Sequence, residues 1–244
     1  YNLPLHDALP IFLYKENNAF RIFEVPSNVL PKAHVLSNGF YSVVTTDRGT
    51  GYSRTKDMAV TRWREDSIQD QYGMFFYLKN NNANETWSSA YAPYNVMPKN
   101  YEVVFYGDKT TYKRTDGDID TLTEIAVTSG DNAEVRRIKV KNNGDETNTI
   151  ELTSYFELVI NNQNNDMAHP AFSNLFMETE YDVEHNALLA HRRPRKAGDK
   201  DQWIAQIAVI DGEIFGEYQY ETDRMQFIGR GNTLKNPVSM QRDR

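Results

Sequence analysis

Short apolar segments separated by tight-turn residues dominate the sequence between Tyr101 and Ile160. The turns at 107–108, 116–117, 129–131 and 143–145 carry Gly, Asp or Asn, which tolerate a positive φ. A chain interrupted so often cannot bury one face of a helix, but it suits antiparallel strands that follow one another as a meander. We expect these strands at 101–106, 110–114, 119–127, 133–141 and 147–160.

The same pattern continues less regularly on both sides of this region. Further strands are expected at 40–46, 74–78, 188–191, 203–210 and 215–220. No segment keeps an apolar period of 3.6 residues for three turns. The sequence therefore predicts an all-β fold, a large antiparallel β-sandwich of two packed sheets.

One strand gives a prediction about which side chains face the core. Within 134–141, alternation directs Val135, Ile138 and Val140 towards the core, and this requires an irregularity at Arg136 and Arg137.

Composition limits the functions open to the chain. A net charge of −7 argues against nucleic acid as a partner, since phosphate contacts need clustered cations. The basic run 191–196 is interpreted as a solvated loop. Cysteine is absent, which excludes disulfides and thiolate metal sites and favours a reducing, cytoplasmic compartment. No run approaches the ~18 apolar residues that a membrane-spanning helix needs.

A set of motifs in fixed order resembles a known family. The motifs are Gly51-Tyr-Ser53, Thr61-Arg-Trp-Arg-Glu-Asp66, Gly73-Met-Phe-Phe-Tyr-Leu78, Trp87-Ser88, Tyr101-Glu-Val-Val-Phe105, Asp116-Gly-Asp118, Glu134-Val-Arg-Arg137, Glu151-Leu-Thr-Ser-Tyr-Phe-Glu157, Ala168-His-Pro-Ala-Phe-Ser173, Phe176-Met-Glu-Thr-Glu180, His191-Arg-Arg-Pro194, Tyr220-Glu-Thr-Asp-Arg224 and Phe227-Ile-Gly-Arg-Gly231. Together they are similar to the β-supersandwich domain of glycoside hydrolase family 94, formerly glycosyltransferase family 36. The version of this domain in cyclic β-1,2-glucan synthases is the most similar.

The resemblance implies a galactose-mutarotase-like supersandwich that belongs to a larger carbohydrate-active enzyme. In that family the chemistry lies in an (α/α)6 barrel that follows the sandwich. The resemblance therefore implies no catalytic residue and no cofactor in this chain. The implied partners are a β-glucan oligosaccharide, the barrel of the same parent chain and a second copy of the chain. The parent is a synthase or a phosphorylase, and a synthase parent would place the domain on the cytoplasmic side of the inner membrane.

The same comparison sets the expected domain limits. Residues 1–20 are predicted to be an N-terminal tail, because 2–11 match nothing in the family pattern and resemble foreign sequence. Residues 21–244 are predicted to form one supersandwich domain, a fragment of the larger protein.

The segment Thr61–Asp66 holds the first candidate site residues. As a strand it would direct Arg62, Arg64 and Asp66 to one face, with Trp63 on the other face as a core residue. The charged face suits either an inter-strand ion-pair network or a patch that contacts sugar or the barrel.

Two aromatic residues and one histidine complete the candidate set. Trp87 and Tyr91 lie in a proline-bounded loop, where they form a stacking platform for sugar or are buried at the sheet edge. His169, with Glu178 or Glu180, is similar to the pairs that sugar mutarotases use, so a mutarotase-like epimerase is an alternative function. A structural interaction domain without sugar affinity is another.

A calcium loop is not expected. Asp116, Asp118 and Asp120 have its initial spacing, but Thr121 and Val127 replace the Gly and Glu that such a loop needs. No metal site is predicted.

Overall fold

The computed structural model describes residues 11–15, 18–26, 29–56, 58–66, 68–194, 198 and 201–241. Residues 1–10, which include nearly all of the segment interpreted as foreign sequence, lie outside these ranges, as do Arg195 and Lys196 of the basic run. The first strand begins at Ile11 and the second at Asn18.

The described residues form a succession of short strands with four short helices. The strands are β1 (Ile11–Lys15), β2 (Asn18–Phe23), β3 (Ala33–Ser37), β4 (Tyr41–Thr46), β5 (Gly51–Thr55), β6 (Ala59–Thr61), β7 (Phe75–Asn80), β8 (Glu85–Ser88), β9 (Asn100–Phe105), β10 (Lys109–Asp116), β11 (Ile119–Val127), β12 (Glu134–Asn142), β13 (Ile150–Tyr155), β14 (Leu158–Asn161), β15 (Met177–Asp182), β16 (Ala187–Arg192) and β17 (Gln202–Ile207). The helices are α1 (Gln163–Ala168), α2 (Pro170–Asn174), α3 (Arg224–Ile228) and α4 (Val238–Gln241).

The strands pair into antiparallel sheets. A six-stranded sheet has the order β1-β2-β9-β10-β11-β12, and a five-stranded sheet has the order β14-β6-β5-β4-β3. Two three-stranded sheets, β13-β7-β8 and β15-β16-β17, complete the fold. The predicted all-β, antiparallel sandwich is confirmed.

The main core lies between the five-stranded and six-stranded sheets. It contains Val43 and Val60 from one sheet and Val103, Phe105 and Tyr112 from the other. Full burial of one such side chain contributes roughly 1.5–3 kcal/mol. The Tyr112 hydroxyl donates to the Thr46 carbonyl across the gap (2.6 Å), so the phenol satisfies its polar end inside the core.

Most of the strands predicted for the central region are found close to their expected positions. The strand 119–127 coincides with β11, whereas 147–160 divides into β13 and β14 at Phe156 and Glu157. The expected strand at 203–210 ends at Ile207, and the strand predicted for 215–220 is wrong, because that segment has no regular secondary structure.

The predicted orientation of β12 is wrong for Val135 and Val140. Val135 and Val140 are exposed, and the pairing with β11 continues without a register shift through Arg136 and Arg137. Instead Glu134 faces inwards, where Tyr41 and Arg136 donate to its carboxylate. Because side chains alternate along a strand, this buried ionic contact turns Val135 outwards. Ile138 lies on the same face as Glu134 and is partly buried, whereas Val140 lies on that face towards the end of the strand and is exposed.

Candidate functional site

The segment that contains three of the candidate residues is not a strand. β6 ends at Thr61, and residues 62–66 are irregular. The backbone N–H of Arg62 donates to the Glu157 carbonyl (2.8 Å), next to a register shift between β6 and β14. The expected alternation of two faces therefore does not hold, and each side chain has to be placed separately.

Arg62 and Arg64 converge on one buried carboxylate. Nε and Nη2 of Arg62 each donate to Asp166 at 3.1 Å, which is a bidentate contact. Nη2 of Arg64 donates to the same carboxylate at 3.4 Å. Arg62 and Asp166 are 9% and 2% exposed, so this ion pair is desolvated. Both arginines form ion pairs, but their shared partner Asp166 lies outside the segment and in a helix rather than on a neighbouring strand.

Arg62 also connects this network to the strand region beside it. Nη1 of Arg62 donates to Glu157 (2.6 Å), and its Nη2 donates to the Asn174 side chain (2.8 Å). Burial alone would lower the pKa of Arg62, but the bonds to Asp166 and the nearby carboxylate charges raise it. Arg62 is therefore a fixed cation that holds α1, α2 and the β13–β14 connection together.

Glu157 is the second acidic centre of the network. It accepts from the Tyr155 hydroxyl and from Nε of Arg224, each at 2.7 Å. Burial acts to raise the pKa of Glu157, but the hydrogen bonds from Arg224 and Tyr155 and the charges of Arg224 and Arg62 hold it below its usual range. Glu157 is therefore a stable carboxylate rather than a general acid.

A small cavity lies beside Thr61, between strands β5 and β6 and helix α1. Its volume is about 190 Å³. The residues that line it are Tyr52, Arg54, Met58, Ala59, Thr61, Trp63, Asn162, Gln163 and Asn164. Trp63, expected in the core, is only half-buried and contacts Tyr52 with ring centroids 5.3 Å apart. An aromatic wall thus faces a wall of amides.

The amide wall is the first turn of α1. Asn162 caps the helix, since its Oδ1 accepts from the Asn164 backbone N–H at 2.9 Å. Asp166, bonded to Arg62 and Arg64, lies in the same short helix. The buried network therefore fixes the position of the cavity wall.

The structure places the other candidates apart from this cavity. Asp66 accepts from the backbone N–H groups of Gln69 and Ile68, and these bonds lower its pKa. Trp87 is buried with Leu78, and so it is a core residue rather than a platform.

Tyr91 and His169 also lie apart from the cavity. Tyr91 is partly buried against the main core, with the Arg48 guanidinium 4.7 Å from its ring centroid. His169 is exposed between α1 and α2. In the described part of the chain no carboxylate lies within hydrogen-bond reach of its ring, and Glu178 is instead bound by His191 (3.1 Å) and Arg193 (3.3 Å).

Sequence reasoning singled out Trp63 but missed most of the other residues that line the cavity. It used Gly51-Tyr-Ser53 only as a family motif, and it assigned no role to the polar run 161–166. The available signal was Asn162 as a helix cap followed by an amide pair, but a six-residue helix leaves too little periodicity to detect. Across the described ranges, no cluster of side chains could hold a metal ion, and no helix is long and apolar enough to cross a membrane.

The antiparallel sandwich and its ordered motifs define a supersandwich domain of the carbohydrate-active enzymes. The chain belongs to the family described as "Glycosyl hydrolase 94, supersandwich domain", whose sequence profile matches residues 16–244.

Two relatives align with most of this chain. The cyclic beta-(1,2)-glucan synthase NdvB of Rhizobium meliloti (strain 1021) is 35% identical over 214 residues, which are 88% of this chain and 8% of the synthase. The N,N'-diacetylchitobiose phosphorylase of Vibrio furnissii is 22% identical over 232 residues, 93% of this chain and 28% of the phosphorylase. The chain thus spans less than a third of the length of each relative.

Proposed function

We propose that this chain is the glucan-binding and scaffolding supersandwich of a larger β-glucan-active enzyme of the cyclic β-1,2-glucan synthase type. The observation that carries the proposal is the 35% identity to a β-(1,2)-glucan synthase over 88% of the chain. The 22% identity to a phosphorylase supports the coarser class of glycan-active proteins and makes a phosphorylase parent the second choice.

An exposed apolar surface supports the scaffolding part of the proposal. It is formed by β17 and the irregular segment 208–223. The large apolar side chains exposed there are Trp203, Ile207, Val209, Ile210, Ile214, Phe215, Tyr218 and Tyr220. Exposed apolar patches of this kind mark interaction sites in soluble proteins. We assign the catalytic part of the parent chain as its partner, because each relative is more than three times as long as the matched region.

The state of the carboxylates supports a non-catalytic role for the chain itself. Glycosyl transfer needs a carboxylic acid on one face of the bond and a nucleophile on the other. Asp166, Glu157 and Glu134 are each bound to an arginine in a buried contact. These carboxylates are therefore held in structural ion pairs, and the reaction is assigned to the parent's other domain.

Isothermal titration calorimetry tests the proposal. The chain should bind β-1,2-gluco-oligosaccharides with a dissociation constant of about 1 mM, the weak affinity that a few contacts provide. No heat of binding up to roughly 50 mM would remove the glucan-binding role. Incubation of the chain with β-1,2-glucan, with and without phosphate, should release neither glucose 1-phosphate nor new reducing ends, and turnover would overturn the non-catalytic assignment.

The remaining parts of the proposal concern location and assembly. A cytoplasmic location is supported by a sequence without cysteine. A second copy of the chain is the other proposed partner for the exposed apolar surface, and sedimentation of the chain at increasing concentration distinguishes a dimer from a monomer.

A further inference from the structure

We infer that the cavity between β5, β6 and α1 is a subsite for one neutral glucosyl unit of a β-glucan chain. This inference rests on the proposed function for the identity of the glycan. It adds the location and the residues, with Trp63 as the stacking surface and the amides of Gln163 and Asn164 as hydroxyl ligands.

The size of the cavity limits the ligand. Pockets for drug-sized ligands usually measure about 300–1,000 Å³. The cavity of about 190 Å³ is smaller. It therefore suits one pyranose ring, with the rest of the glycan outside.

The aromatic wall provides an apolar surface for the ring. The β-glucopyranose ring carries its hydroxyls equatorially, which leaves C–H groups on its faces. Trp63 is half-buried and held by the Tyr52 ring, so its indole is positioned before a ligand arrives. A preorganised aromatic face binds such a ring at little entropic cost.

The opposite wall provides hydrogen-bond groups with free capacity. Oδ1 of Asn162 is used by the helix cap. The side chains of Gln163 and Asn164 make no hydrogen bond within the described part of the chain, and an amide offers two donors and an acceptor. Vicinal sugar hydroxyls, which donate and accept, match these groups.

The charge of the cavity favours a neutral sugar. Arg54 is the one charged side chain among the described residues of the lining, and its Nε and Nη2 donate to the carbonyls of Thr55 (3.3 Å) and Lys56 (3.2 Å). Part of its hydrogen-bonding capacity is thus used within the protein. An anionic sugar would have no second cation there, whereas a hydroxyl needs only one remaining N–H.

Calorimetric titration with β-1,2-glucotriose tests the subsite. Gln163→Ala combined with Asn164→Ala should weaken binding at least roughly fivefold, which corresponds to one ordinary hydrogen bond. Trp63→Leu should weaken it by up to about tenfold through loss of the aromatic face. The matched control is Asn165→Ala, which alters the next asparagine of α1, outside the cavity lining, and should leave binding unchanged.

The melting temperature of each variant separates binding from folding. Because the amides of Gln163 and Asn164 have no described partner, the double variant should melt like the wild type even if Trp63→Leu is destabilised. If the double variant and Trp63→Leu both bind the sugar as strongly as the wild type does, the subsite is overturned and the proposed glucan binding stays intact. Absence of wild-type binding would overturn both. Tighter binding of a glucuronic acid oligosaccharide would overturn the neutral-sugar assignment.

Discussion

Arg62 shows how a conspicuous polar residue acquires a structural role through distant parts of the chain. Its partners Glu157, Asp166 and Asn174 are 95, 104 and 112 residues away in sequence. Desolvating two charges costs several kcal/mol, so the contact stabilises the fold only because several hydrogen bonds accompany it. Removal of one partner leaves the other buried without adequate compensation.

Arg62→Met should therefore destabilise the protein by about 3–5 kcal/mol. The matched control is Lys113→Met, since Lys113 forms an exposed ion pair with Glu102 and its loss should cost about 0–1 kcal/mol. Urea unfolding followed by tryptophan fluorescence measures both changes. Equal, small losses would contradict the role of Arg62 as the centre of a buried network.

Glu157 gives the network a defined dependence on pH. Its pKa in the folded protein is below the ordinary glutamate value of 4.5, so its contribution is present in full above that value. As the pH falls below 4.5 through the lowered pKa, the folded state must take up a proton and the contribution is lost.

Unfolding midpoints of the wild type and Glu157→Gln, measured from pH 7 to pH 3, test this sign. The wild type should be more stable at pH 7, and the difference should shrink towards pH 3. A difference that is constant over this range would show that Glu157 does not titrate with a lowered pKa.

Among the structural elements, strands defined by local turn chemistry were predictable and those defined by tertiary contacts were not. The turns that follow β9 to β12 are rich in Gly, Asp and Asn, and both the existence and the order of these strands could be read from sequence. The irregular path after Thr61 depends on Arg62 reaching Asp166, and the orientation of β12 depends on Tyr41 reaching Glu134. No local pattern encodes such long-range contacts. The candidate site was only partly predictable for the same reason: Trp63 lies in a visible motif, but its amide partners do not.

The β4–β5 pair gives a test at the scale of one hairpin. Gly51 lies opposite Thr45 with φ +149°, and a Cβ added there would be 1.9 Å from the Val44 carbonyl oxygen. Gly51→Ala should therefore lower stability by well over ~1 kcal/mol, because strand β4 would have to move. Gly107→Ala is the control, since a Cβ there meets no atom within 4 Å. Equal melting temperatures for the two variants would contradict the close approach of β4 and β5.

At the scale of the whole molecule, the described residues combine a buried sandwich core with an apolar surface that they leave exposed. The sandwich encloses its own core between two sheets, whereas 208–223 contribute large apolar side chains to the outside. This division suits a domain that folds around its own sheets and presents one side to the remainder of a larger enzyme.

Phe215→Ser tests the division between the core and the exposed apolar surface. Phe215 is 93% exposed, so its replacement should change the free energy of unfolding by no more than about 0.5 kcal/mol and should improve solubility. Phe75 is 2% exposed, and Phe75→Ala should cost about 3–5 kcal/mol. A large loss of stability in Phe215→Ser would show that segment 208–223 belongs to the core and would contradict the exposed apolar surface.

Chemical-shift mapping with β-1,2-glucotriose tests the account of a glucan-binding supersandwich most directly. In a deuterated, ¹⁵N-labelled sample, the Trp63 indole N–H and the amides of 52–63 and 162–164 should shift together and saturate in the millimolar range. The indole signals of buried Trp87 and of Trp203 in β17 should stay unchanged. Shifts centred on β15 to β17, or none at roughly 50 mM sugar, would contradict the account.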